Sequence, residues 1–320
     1  MRGEGAGVRT LRVLDPGPLA LLEDGGRPGF AHVGVTASGA ADRGAWRAAN
    51  RLVGNPPGEA AIEALGGGLT VSVSTWALVA VTGAPGAVTV VGPEARRGAS
   101  GSRSRVVHPV GRSFVAAPGE VIALDTPSRG LRRYLAVRGG LDVPPTLGSR
   151  STDVLSGLGP APLAAGAKLS IGDAVEAWPA ADFVRPFADD PQARGAVVLE
   201  VTPGPRADWF GAAGWRLLLG GEWEVQPDSN RVGVRIRSLD GGLARAEGSE
   251  RELPSEGMVA GSVQVPPDGH PVLFFRDHPV TGGYPVIAVL TASALDRVAQ
   301  LRPGDRVRFA DQPKSMAASR

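Results

Sequence analysis

Short apolar runs, each broken after a few residues by glycine or proline, dominate this sequence, and that punctuation restricts it to folds made of many short strands. The 46 glycines and 28 prolines follow no fixed period, which sets the chain apart from collagen-like and solenoid repeats. Expected strands are Gly68–Val73, Ala77–Thr82, Ala87–Val91, Phe114–Ala116, Val121–Leu124, Tyr134–Val137, Val197–Val201, Val232–Ile236, Gly261–Val265, Val272–Phe275, Val286–Leu290 and Arg306–Phe309. Strands this short and this frequent point to barrels or sandwiches.

A turn device recurs ahead of several strands: Pro118-Gly119-Glu120, Pro303-Gly304-Asp305 and Ile171-Gly172-Asp173. Helices are few. The first is expected over Asp42–Val53, with Asp42 as N-cap and Gly54-Asn55-Pro56-Pro57 as its stop. A second is expected over Ala207–Leu219, and a third from a capping-box-like Ser293-Ala294-Leu295-Asp296. At 320 residues, two domains and one large β architecture are both open. A polar, turn-rich stretch across Pro179–Arg194 marks a boundary. The expected organisation is a flexible N-terminus over 1–10, a β-rich domain over 11–185, a second β-rich domain over 195–310 and a disordered tail over 311–320.

Composition narrows the function. The 34 basic and 32 acidic side chains nearly cancel, and Lys168 and Lys314 are the only lysines. Positive charge is dispersed and interleaved with acids, so nucleic acid is not an expected partner. The absence of cysteine excludes disulfides and thiolate metal sites. No apolar stretch has the length of a signal sequence or a membrane span, so a soluble, cytoplasmic chain with no membrane partner is expected.

Common catalytic motifs are missing. Gly166-Ala167-Lys168-Leu169 lacks the ending of a P-loop, so any ATP site here uses arginines and backbone amides. No Met-Lys-Met segment is present to carry biotin, and no Gly-x-Ser-x-Gly elbow to serve a hydrolase. His32, His108, His270 and His278 show no metal-ligand spacing and read as structural, and no metal site is expected. What remains is a series of polar, glycine-rich loops: Asp24–Gly29, Ser38–Asp42, Gly148–Asp153, Ser229–Arg235, Gln264–Gly269 and Thr281–Pro285. The last combines a hydroxyl, two glycines that let a backbone approach closely, and Tyr284, one of two tyrosines.

Taken in order, these loops resemble the family of the 5-oxoprolinase C subunit, which is related to allophanate hydrolase subunit 2, to the carboxyltransferase domain of biotin-dependent carboxylases and to KipA-type regulators. The resemblance runs from about Leu11 to Phe309. It includes Asp24-Gly25-Gly26-Arg27-Pro28-Gly29, Ser38-Gly39-Ala40-Ala41-Asp42, Ala49-Asn50-Arg51-Leu52-Val53-Gly54-Asn55, Tyr134–Leu141, Leu147–Asp153, Pro203-Gly204-Pro205 and Thr281-Gly282-Gly283-Tyr284. The chain departs from the pattern at Asn230, Val232 and Val234, and at His278-Pro279-Val280.

The resemblance implies a mainly β fold of two cyclophilin-like, barrel-like halves with a few short helices. It implies an ATP-dependent enzyme that converts 5-oxo-L-proline to L-glutamate. Such an enzyme works only with partners, a KipI-like B subunit and a LamB/YcsF-like A subunit. ATP, with Mg²⁺ brought by the nucleotide, would be the co-substrate, and this chain would carry no covalent biotin. Carried over residue by residue, Arg231, Asp277 and Tyr284 are expected to be catalytic. Arg27, Asp42, Asn50, Ser229, Arg235, Gln264, Thr281, Gly282 and Gly283 are expected to bind substrate or phosphate. Two further functions share the family: carboxyl transfer to urea or a similar amide, and non-enzymatic binding of a kinase inhibitor.

Overall fold

A computed structural model describes residues 8–93, 104–179, 181, 183–185, 195–238, 241–249 and 251–312. The chain forms two compact units: unit 1 comprises Met1–Gly29 and Ala37–Asp190, and unit 2 comprises Phe30–Thr36 and Pro191–Arg320. The expected flexible start falls on residues of which 1–7 lie outside the described ones, as do 186–194 of the expected boundary.

Unit 1 contains β1 (Thr10–Asp15), β2 (Leu19–Glu23), α1 (Arg43–Val53), β3 (Ala61–Leu65), β4 (Thr70–Val73), β5 (Ala77–Gly83) and β6 (Ala87–Val91). After these come β7 (Arg105–Pro109), β8 (Ser113–Ala116), β9 (Val121–Leu124), β10 (Arg132–Val137), β11 (Gly139–Asp142) and β12 (Lys168–Ala174). They form a seven-stranded sheet, β11-β12-β1-β4-β9-β6-β7, and a five-stranded sheet, β2-β3-β10-β5-β8. One apolar core draws on both sheets, including Leu11 and Val71 from the first and Ile62, Val79 and Leu135 from the second.

The side-chain period of two explains how the smaller sheet is covered on both faces. In β10, Leu135 and Val137 join the inter-sheet core, whereas Tyr134 and Ala136 join Trp46, Ala49 and Leu52 of α1. Asp42 caps α1 by accepting from the Ala45 N–H at 2.8 Å, and Gly54 closes it in the left-handed region.

Unit 2 contains β13 (Val197–Pro203), α2 (Gly211–Gly220), β14 (Trp223–Val225), β15 (Gly233–Ser238) and β16 (Glu256–Gly257). It continues with β17 (Ser262–Gln264), β18 (Val272–Phe274), β19 (Thr281–Gly282), β20 (Val286–Leu290), α3 (Ala292–Val298) and β21 (Arg306–Asp311). Seven strands close a barrel, β13-β20-β17-β18-β15-β14-β21, in which β13 and β21 pair in parallel. Leu199, Val201, Trp223, Val263, Leu273 and Val307 are fully buried in it. The protein is therefore mainly β, as expected, with a closed barrel and few helices among the described residues.

Several local expectations need correction. Gly172 and Asp173 are not a turn before a strand; they lie inside β12. The expected second helix is divided, with a 3-10 turn over Ala207–Phe210 ahead of α2. The cap of α3 is Thr291, which accepts from the Ala294 N–H at 3.2 Å, rather than Ser293. Asp311 pairs with Val201 in β21, so the barrel extends into the expected tail; residues 313–320 lie outside the described ones.

Candidate functional site

The polar loops of unit 1 fold inward. Asp24, at the end of β2, is 5% exposed. Its carboxylate accepts from the Gly26 N–H at 2.7 Å, from Ser149 Oγ and Ser151 Oγ at 2.6 Å each, and from the Arg150 N–H at 2.6 Å. A carboxylate with that many donors is fully satisfied without solvent. Arg27 is buried beside this knot. One of its Nη atoms donates to the Ser151 carbonyl and Nε donates to the Thr146 carbonyl at 3.4 Å, while Nη1 is buried without an acceptor.

Asp42 and Asn50 are both buried and both bonded within unit 1. Asp42 caps α1, and its N–H donates to Tyr134 Oη at 2.7 Å. Tyr134 Oη in turn donates to Glu63 Oε2 at 2.7 Å, and Arg132 pairs with Glu63 at 3.3 Å. Burial, then the negative charges of Glu63 and Asp42, pushes the Tyr134 phenol well above its usual range, so it stays protonated. Asn50 donates to the Glu59 carbonyl at 2.8 Å and accepts from Asn55 at 2.9 Å, which ties α1 to the segment before β3.

In unit 2, Arg231 and Asp277 meet each other. Nε and Nη2 of the guanidinium reach the two carboxylate oxygens at 2.8 and 3.2 Å, and the pair is 2% and 0% exposed. The Asp277 N–H also donates to the Arg231 carbonyl at 2.9 Å, so backbone and side chains fasten the same two loops. Ser229 and Arg235 belong to an adjoining turn: Ser229 Oγ accepts from the Arg235 N–H at 3.0 Å, and Arg235 pairs with Asp228 at 2.9 Å on the surface. Asn230, at a departure from the family pattern, supplies an Asx turn by accepting from the Val232 and Gly233 N–H groups at 2.8 and 3.2 Å.

The Thr281–Tyr284 loop is placed differently. Strand β19 pairs with β16 to make a two-stranded ribbon. Arg206 ion-pairs with Glu256 of that ribbon. Gln264, 5% exposed, donates to the Tyr284 carbonyl at 3.2 Å and so fixes the loop's path. Tyr284 is 44% exposed. It lines a cleft of about 640 Å³ together with Gly283, Phe210, Arg245, Glu252 and the Pro266-Pro267 turn.

Of the expected residues, Gly283 and Tyr284 line this cleft, whereas Gln264, Thr281 and Gly282 belong to the strands and contacts that support their loop, and Arg231, Asp277, Ser229 and Arg235 sit in turns of their own. Sequence reasoning missed Arg245 and Glu252. The only signal was the Gly241-Gly242 pair that opens their segment, which lacks any apolar period. Among the described residues no group of His, Cys, Asp and Glu has the arrangement of a metal site.

Comparison with known proteins places this architecture. Residues 33–311 match the family model of the carboxyltransferase domain, subdomain A and B. The chain belongs to that carboxyltransferase-domain family. Within it, the 5-oxoprolinase C subunit of Escherichia coli (strain K12) is 34% identical over 308 residues, covering 93% of this chain and 90% of that protein. Urea amidolyase of Lachancea kluyveri is 31% identical over 94% of this chain, which spans 17% of that much longer protein. The crystal structure of TTHA0988 superposes with a TM-score of 0.78 at 33% identity, over 96% of this chain and 57% of that one. Carboxyltransferase-domain proteins thus occur at very different total lengths, and this chain corresponds to nearly all of one relative and to parts of the others.

Proposed function

We propose that this chain is the C subunit of an ATP-dependent 5-oxoprolinase, which opens 5-oxo-L-proline to L-glutamate together with LamB/YcsF-like and KipI-like partner subunits. The match to the E. coli C subunit across 90% of that protein's length carries this reading. A lactam carbonyl carbon is a weak electrophile. Transfer of the γ-phosphoryl group of ATP to the lactam oxygen releases ADP and activates that carbon. Water then adds, the ring C–N bond breaks as nitrogen takes a proton, and a second water releases phosphate from the resulting acyl phosphate. Such chemistry needs oriented donors and positive charge more than it needs a protein nucleophile.

In this reading Gly283 and Tyr284 position substrate or phosphate at the cleft, Gly282 lets their loop pack closely on Met258 and Gln264, and Gln264 holds its path. Arg27, with a buried Nη1 lacking an acceptor, is a reserve donor for an anionic oxygen. Both Asp277 oxygens are taken by Arg231, so Mg²⁺ is expected to arrive with the nucleotide and not on Asp277. Arg231 and Asp277 act through the loops they fasten.

The test is glutamate formation from ATP and 5-oxo-L-proline by this chain mixed with the LamB/YcsF-like and KipI-like homologues, each component omitted in turn. Turnover that requires all three supports the reading; none from a well-formed complex overturns it. The family model and the urea amidolyase match favour one second reading, carboxyl transfer from carboxybiotin to urea or a similar amide. Transfer to urea in the absence of oxoprolinase activity would establish that one instead.

A further inference from the structure

Three guanidinium groups gather on one buried indole in unit 2. The Cζ atoms of Arg206, Arg245 and Arg251 lie 5.9, 5.4 and 5.2 Å from the centroid of the Trp209 ring. Trp209 is 3% exposed, so its ring is a fixed platform and not a mobile surface group. The three arginines differ in their partners. Arg206 is ion-paired to Glu256, with exposed Asp208 also near it. Among the described residues, Arg245 and Arg251 have no carboxylate partner. Among the described residues Arg245 donates from Nη1 alone, to the Ser249 and Arg251 carbonyls at 3.5 and 3.2 Å, which are long bonds for a group with five N–H donors.

Arg245 also lines the cleft that holds Gly283 and Tyr284, beside Phe210, Leu243, Val265 and the two prolines. A half-buried guanidinium whose remaining donors meet no acceptor among the described residues, set beside Phe210, Leu243 and Val265, is what recognises a planar carboxylate. Glu252 lines the same cleft and is exposed, so it suits an N–H donor on the ligand and does not quench Arg245.

We propose that this cleft binds a small carboxylate whose ring or chain packs against Tyr284 and Pro266-Pro267, and that Arg245 is the residue that anchors the carboxylate. If the function proposed above holds, and the identity of the ligand rests on it, the bound species is 5-oxo-L-prolinate itself. Arg245 then separates acidic lactams from neutral amides such as urea, which offer it nothing.

The experiment compares binding of 5-oxo-L-proline and of 2-pyrrolidinone, the same lactam without its carboxylate, by titration calorimetry and Trp fluorescence. It uses the full chain alone and in complex with its partner subunits. The wild type should prefer 5-oxo-L-proline by about tenfold to a hundredfold, the range for a hydrogen bond to a charged group. Arg245→Gln should erase that preference, and Arg245→Lys should restore part of it, with melting temperatures confirming that each variant is folded. An unchanged preference in Arg245→Gln, or no saturable binding of 5-oxo-L-proline to the wild type in either form, overturns the proposal. The two failures are separable. Turnover with an unaltered KM in Arg245→Gln sinks the anchor and leaves the oxoprolinase reading standing. Carboxylate-dependent binding without turnover does the reverse.

Discussion

The Asp24 loops of unit 1 and the Tyr284 loop of unit 2 look alike as sequence, each a glycine pair beside polar side chains, yet they fold to opposite ends. At Asp24 four donors from the chain itself meet one buried carboxylate, and of the groups beside it Arg27 alone keeps a donor, Nη1, without an acceptor. Around Tyr284 capacity for a ligand remains: an exposed tyrosine, a ribbon of two short strands, and an arginine whose long contacts are to backbone carbonyls. A polar glycine-rich loop thus signals that backbone conformation is special. Whether the polarity faces inward or toward a ligand depends on what the rest of the fold brings against it.

That contrast breaks most sharply at Asp24. Asp24→Ala strands two backbone N–H groups and two hydroxyls in a buried site, each unmade bond costing about 1–3 kcal/mol. A loss of about 5 kcal/mol or more is expected in urea unfolding of the chain. A loss under about 1 kcal/mol would mean that the cluster is open to water, and the comparison would fail.

Arg231→Ala tests the same idea in unit 2. It takes the guanidinium from a carboxylate that is 0% exposed, and about 3–5 kcal/mol of stability should disappear. The double variant Arg231→Met with Asp277→Leu removes both charges and should recover most of that loss. If the double variant folds and the complex remains active, the pair is a strut. If it folds and activity falls more than about a hundredfold, the pair takes part in chemistry directly.

How far the sequence reveals such distinctions varies by level. Strands with an apolar run between turn residues were legible, and Ala87–Val91, Val121–Leu124 and Val286–Leu290 form over the expected residues. The strands that escaped notice have other causes. In β1 and β12, charged residues and Gly172 interrupt the apolar signal, and pairing with neighbouring strands keeps them extended. β3 carries Glu63, a charged residue inside a buried strand that is tolerable only because Tyr134, Arg132 and the Ala41 N–H meet it. Thr291 displaced Ser293 as a cap because β20 ends at Leu290 and the helix can start at once.

For the site, the motif loops were visible, but the division of labour among their arginines was not. Arg231 reads as a free cation until Asp277, far along the chain, is folded against it. Arg245 reads as an ordinary surface residue until Trp209 lies beneath it and Tyr284 lines its cleft. Partners distant in sequence decide the role of a charge, and local pattern carries no record of them.

A smaller effect is expected at Gly282. A Cβ there would stand 2.7 Å from Gln264 Nε2 and 3.0 Å from Met258 Cε. Both are ends of flexible side chains, so Gly282→Ala should cost only about 1 kcal/mol. Moving Gln264 nevertheless breaks its bond to the Tyr284 carbonyl and shifts the cleft wall. Weaker ligand binding with nearly unchanged melting would show that the unit 2 loop is tuned for function, whereas Asp24 is tuned for stability. Unchanged binding would mean that the Gln264 contact does not set the loop.

The smallest expected effect is at Glu59 in unit 1, in a second cleft shared with Asp142, Arg150 and Asp173. Burial pushes the Glu59 carboxyl above its usual value of 4.5, with Arg150 pulling the other way and Asp24 and Asp142 adding to the rise. A raised folded-state value means that the folded chain holds this proton more tightly than the unfolded chain. The resulting stability is fully present below pH 4.5 and is lost as pH climbs through the folded value. Glu59→Gln removes that dependence. Its melting temperature should match the wild type at acidic pH, then exceed it by a growing margin toward neutrality until the carboxyl is fully ionised. The Glu59 carbonyl, which Trp46 and Asn50 use, is untouched by the substitution, so a difference that follows pH belongs to the carboxyl. A pH-independent offset would instead show that the carboxyl interacts equally in both protonation states, and Glu59 would then belong with Asp24 among the groups whose polarity faces inward.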